Sequence, residues 1–96
     1  MCGQLVEGLT DARTRPFARD AILSVCGGNE PVAKRIADLY SRQEDPEARG
    51  LLLALVLEVT DDSSLLQRIL SEGTRDDDVY VRIFAERKRR GEARDQ

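Results

Sequence analysis

The sequence predicts an all-α protein: six helices in a right-handed up-down stack, with a compact six-helix bundle as the alternative. Three observations carry this. First, the chain resembles itself. Pro16-Phe17-Ala18-Arg19, Pro46-Glu47-Ala48-Arg49 and Val79-Tyr80-Val81-Arg82 each open an apolar stretch. Between them, Val32-Ala33-Lys34-Arg35-Ile36-Ala37 matches Leu65-Leu66-Gln67-Arg68-Ile69-Leu70. A period of roughly 30–35 residues is characteristic of stacked helical hairpins. Second, the apolar residues recur at i, i+1, i+4, i+5, which is one stripe of a helix. Third, no stretch alternates with a period of two and only 4% of the chain is aromatic, which argues against strands.

The elements follow in order. Leu5, Val6 and Leu9 place a short first helix over 3–12. Thr14 as a cap and Pro16 in the first turn start the second, over 15–27, which Gly27-Gly28 ends. Its stripe is Phe17, Ala18, Ala21, Ile22, Val25 and Cys26. Asn29 caps the third, over 30–43, with Val32, Ala33, Ile36, Ala37 and Tyr40 facing inward. Asp45-Pro46-Glu47 opens the fourth, over 46–59: a cap, a first-turn proline and an acid at the positive end of the dipole. Leu51 to Leu57 is apolar on nearly every side, so this helix is expected to be buried all round at the centre. Thr60 to Ser63 caps the fifth, over 63–72, and Gly73 stops it. Asp76 to Asp78 opens the sixth, over 77–90, whose stripe is Val79, Tyr80, Ile83 and Phe84.

The helices opening on Pro-x-Ala-Arg form one type, A. Those carrying Val-Ala-x-Arg-Ile form another, B, and the first helix fits B. The order is then B-A-B-A-B-A, with half a unit at each end, so homodimerisation or docking on a larger assembly is open to it. Residues 1–90 form one helical-repeat domain and 91–96 a polar tail.

Asp45-Pro46-Glu47-Ala48-Arg49 before an apolar helix resembles the HEAT and armadillo class of helical repeats, and Asp76-Asp77-Asp78-Val79-Tyr80-Val81-Arg82 is similar. The resemblance spans 14–90 and implies a superhelical stack that binds proteins or peptides across the B-helix face. In that family an Asp in the turn and an Arg six residues later tie units together. Asp76 and Arg82 have this spacing, whereas Arg49 has Gln43 and Arg19 has Arg13 at the matching place. Arg19, Arg49 and Arg82 are expected to pack their stems between layers and pair with carboxylates.

Composition narrows function further. Histidine is absent, which removes Ser-His-Asp, Cys-His and imidazole chemistry and the usual zinc sets. Catalysis, metals and cofactors are not expected. Cys2 and Cys26 are read as reduced thiols, Cys26 as a small core residue. Met1-Cys2-Gly3 resembles the start of class II glutamine amidotransferases, but those domains are β-rich and nothing else here agrees. No apolar run approaches a membrane span, and Cys2 to Leu9 is too short for a signal segment and contains Glu7, so a cytoplasmic location is expected.

Residues 1–81 hold 9 basic and 15 acidic side chains, and 82–96 hold 6 and 3. The acidic body disfavours nucleic acid. The basic run Arg87-Lys88-Arg89-Arg90 suits the negative end of a final helix, and Asp61-Asp62 and Asp76 to Asp78 suit helix starts better than a cation. The expected function is a non-catalytic protein-interaction module or adaptor. Its contact face is expected at Lys34, Arg35, Asp38, Gln67, Arg68 and Glu72, the outward residues of the B helices. The rival readings are a helix-turn-helix DNA-binding regulator using residues 22–40 and a death-fold-like association domain.

Overall fold

Side-chain caps set the helix starts. In the computed structural model, which describes residues 2–91, Asn29 accepts from the Val32 N–H at 3.2 Å and Asp45 from the Ala48 N–H at 3.3 Å. Asp78 accepts from both Tyr80 and Val81, at 3.1 and 3.0 Å. Each takes up donors that an α-helix cannot satisfy itself. The helices are α1 (Cys2–Glu7), running into a short 3-10 turn at Gly8–Thr10, α2 (Arg15–Val25), α3 (Glu30–Arg42), α4 (Pro46–Val59), α5 (Ser63–Gly73) and α6 (Val79–Arg89). Among the described residues there is no strand. Of the expected 91–96 tail, only Gly91 lies within the described residues.

Two starts differ from the sequence reading. Thr14 precedes α2 but does not cap it: its backbone is helical rather than extended as at the other caps, and its hydroxyl donates to the Gly8 carbonyl at 2.7 Å. Asp62 precedes α5 without a side-chain cap. Buried Thr60 takes that region instead: its hydroxyl donates to the Glu30 carboxylate and accepts from the Asp62 N–H at 3.0 Å, joining the start of α3 to the end of α4. Gly28 turns the chain with φ of +79°, and its N–H reaches the Val59 carbonyl at 2.7 Å. A side chain would be strained there.

The helices pack as consecutive pairs, α1 with α2, α3 with α4, and α5 with α6. Across the pairs, α4 touches α2 and α6, α1 touches α3, and α4 also touches α5. Leu52, Leu53, Leu55, Val56 and Val59 on α4 are at most 2% exposed and meet Ile22, Ile36, Ile69 and Ala85 in one core. The expectation of burial on every side of α4 is corrected: Leu51, Ala54 and Leu57 are only half-buried. Gly73 is the last residue of α5, as expected, and its backbone passes so close to α6 that a Cβ there would lie 2.7 Å from that of Ala85.

The expected thiols are likewise corrected. Cys2 and Cys26 are joined as a disulfide, with Cα atoms 6.0 Å apart. The bridge links the start of α1 to the end of α2, two positions that the hairpin fold brings together although 24 residues separate them.

Candidate functional site

The six residues expected to form a contact face lie on α3 and α5, and several of them meet. Arg68 bonds Asp38 at 3.2 Å and approaches Glu72 at 3.7 Å, while Ser41 bonds Glu72 at 3.3 Å. Arg35 donates to the Gly3 carbonyl at 3.2 Å. These charges therefore serve the seams between α1, α3 and α5, leaving Lys34 and Gln67 as exposed members of the set without such a bond among the described residues. That is the geometry of a surface whose polar groups satisfy one another.

The three repeat arginines divide. Arg49 donates through Nη1 to the carbonyls of Gln43 and Glu44, at 3.2 and 2.8 Å. Arg82 does the same to those of Asp76 and Asp77, at 2.8 and 3.3 Å. Both clasp the loop that precedes their own helix. Arg19 does not; it pairs with its neighbour Asp20 at 2.9 Å, and Arg15 takes the equivalent role by donating to the Leu9 carbonyl at 2.8 Å.

Around Arg49 a buried polar cluster borders a cleft of about 350 Å³ that includes Glu72 and Arg75. Arg49 grips Asp76, which also accepts from the Tyr40 hydroxyl at 2.6 Å and the Asp78 N–H at 2.9 Å. Burial raises the Asp76 pKa, but the hydrogen bonds from Arg49, Tyr40 and Asp78 outweigh it and hold the carboxyl down at about 2. Burial, and then the bond to Asp76, push the Tyr40 phenol up. An acid locked in its ionised form by three donors is a poor proton carrier. This cluster is a joint between α3, α4 and the α5–α6 loop.

The A-type helices carry the surface that remains. Phe17 is 74% and Tyr80 78% exposed, with Leu23, Val25, Val79 and Ile83 between 44% and 58%. Five of these six, all but Leu23, belong to the apolar stripes that the sequence predicts. Their neighbour α4 presents the stripe Glu47, Leu51, Ala54, Glu58, spaced i, i+4, i+7, i+11 along one side. A groove runs on each flank. One, of about 430 Å³, lies against α6 and is lined by Leu51, Ala54, Tyr80 and Phe84. The other, of about 280 Å³, lies against α2 and is lined by Leu51, Ala54, Leu23 and Arg19. Acids stand around them: Glu47, Asp78 and Glu58.

The sequence did contain a signal for this face. Phe17, Glu47 and Tyr80 occupy the same place in the three repeats. Glu47 can only face water there, so Phe17 and Tyr80 do as well. At the C-terminal end of α6, Lys88 lies 5.5 Å over the Phe84 ring and Arg90 is 3.9 Å from Glu86. Among the described residues no group of acids and cysteines is placed to hold a metal, and no helix is long and apolar enough to cross a membrane. No protein-family model, curated protein or solved structure matches the chain.

Proposed function

We propose that this chain is a non-catalytic protein-interaction module, an adaptor built from three helical hairpins stacked in a HEAT-like superhelix. Its contact face is the side formed by α2, α4 and α6. The supporting observation is the open stripe of α4. Leu52, Leu53 and Leu55 of this helix are in the core, yet Leu51 and Ala54 stay half-open between two apolar grooves, with Tyr80 projecting beside them. Contiguous exposed apolar surface on a small protein marks a place where something docks.

The stacking reading rests on the contacts of α4 with both α2 and α6, on those of α1 with α3, and on Asp76 reaching from the last hairpin to Arg49 of the middle one. The outward charges of α3 are a weaker candidate for either a partner or DNA, since Arg35 and Asp38 already bind α1 and α5. The Cys2–Cys26 disulfide stands against the cytoplasmic location expected from the sequence, because such bonds persist in oxidising compartments.

Site-specific photo-crosslinking tests the face. A crosslinker replacing Tyr80 is expected to capture a discrete protein in cells, and one replacing Gln67 is not. Capture from Gln67 alone would return the contact to α3 and α5, and capture from neither would remove the interaction reading.

A further inference from the structure

We propose that the α2–α4–α6 face takes a cationic amphipathic helix about three turns long, an inference that rests on the reading of this face as the contact surface. Apolar at its centre, the α4 stripe is acidic at both ends. Glu47 and Glu58 are 11 residues apart, so they bracket Leu51 and Ala54 at a separation of about 16 Å along the helix axis. Both are exposed, and neither forms an ion pair with another described residue.

The bases nearby are already engaged. Arg19 holds Asp20 at 2.9 Å, and Arg15 holds the Leu9 carbonyl at 2.8 Å. Lys88 lies on the Phe84 ring, beyond the lining of the grooves. Asp78 also lines the α6 edge, with its carboxylate engaged in capping α6. The face is therefore apolar in the middle with an excess of negative charge around it.

Complementarity sets the occupant. Apolar residues at i, i+3, i+4 and i+7 of a partner helix would fill the grooves beside Leu51 and Ala54. Lys or Arg residues about 11 positions apart would reach Glu47 and Glu58. Phosphate backbones and anionic lipid surfaces are repelled by the same acids. A second copy of this chain laid antiparallel on the same face would set Glu47 against its partner's Glu58, a like-charge contact at each end.

A displayed library of 16-residue helical peptides tests this. Selection on the wild-type protein is expected to enrich peptides with an apolar face and Lys or Arg at both ends. Selection on Glu47→Lys/Glu58→Lys is expected to enrich Asp or Glu there instead, and this variant should bind the wild-type-selected peptide about tenfold more weakly, since two attractions become repulsions. If wild-type peptides show no charge bias, or the reversal changes affinity less than twofold, the cationic inference falls while the face survives. If Leu51→Asp and the exposed-site variant Tyr80→Ala both keep wild-type affinity, or no peptide is enriched at all, the face itself is wrong.

Discussion

Arg49 and Asp76 meet through two parallel bonds, Nε to Oδ2 at 2.9 Å and Nη2 to Oδ1 at 2.8 Å, with the Asp76 side chain only 5% exposed. The pairing joins the middle hairpin to the last. Removing the carboxylate by Asp76→Ala strands a half-buried guanidinium and the Tyr40 hydroxyl together. A loss of about 3 kcal/mol is expected, against about 1 kcal/mol for Tyr40→Phe, which removes a single bond. Urea unfolding of both variants measures the difference. Equal losses would mean that the ion pair is not what holds the joint.

Acid should loosen the same joint. The Asp76 carboxyl sits at about 2 in the folded protein against 3.8 for an unperturbed aspartate. Its folded pKa is depressed, so its contribution is complete above pH 4 and is lost as pH falls from 4 towards 2. The shift corresponds to about 2 kcal/mol. Asp76→Asn should flatten that part of the stability–pH curve, which thermal melts at intervals between pH 2 and 6 would record. Tyr40 runs the other way. Its phenol is raised by burial, so its contribution is present below pH 10 and declines as pH climbs past that value.

Gly73 is a packing position. A Cβ there would fall 2.7 Å from the Ala85 Cβ and 3.0 Å from a Leu53 methyl, and the alanine has no rotamer with which to withdraw. Gly73→Ala should cost about 1–3 kcal/mol. Ala85→Gly should recover part of it in the double variant. Additive losses in a denaturant cycle would show that the two positions do not touch.

Closing Cys2 to Cys26 removes freedom from the unfolded chain over a loop of 24 residues. On loop-closure entropy this stabilises by about 3 kcal/mol. Reduction, or Cys2→Ser, should remove about that much stability and lower the melting temperature, and adding reductant to Cys2→Ser should change nothing more. Phe17→Ser and Tyr80→Ser should behave oppositely, leaving stability within about 0.5 kcal/mol, because both rings are already in water.

Much of the helical framework was legible. The caps at Asn29, Asp45 and Asp78 are local chemistry, and the stripe Val32, Ala33, Ile36, Ala37, Tyr40 is buried on α3 as its spacing dictates. What local pattern could not decide was how far a stripe turns into solvent. Phe17 and Tyr80 continue apolar runs, yet they sit at the outer edge of those runs, where spacing within one helix leaves burial open and only the matching place of Glu47 in the repeat points outward. For the same reason Leu51 and Ala54 read as core: periodicity reports that α4 is apolar, not that its fourth side has no helix against it. The disulfide depends on distance in space, and 24 residues of sequence conceal it. Likewise the Arg49–Asp76 pairing crosses 27 residues, while the motif spacing pointed at Asp76 and Arg82.

The covalent bridge begins and ends within the first hairpin. It stiffens one extremity of the molecule and exerts no leverage on the angle between the middle and last hairpins. Across the seam between those two, the fork of Arg49 on Asp76 acts together with the close packing of Gly73, Ala85 and Leu53. The end of α2 is consequently tied by a covalent bond inside its own hairpin, whereas α6 keeps its place beside α4 by non-covalent contacts that acid or a single added methyl can weaken.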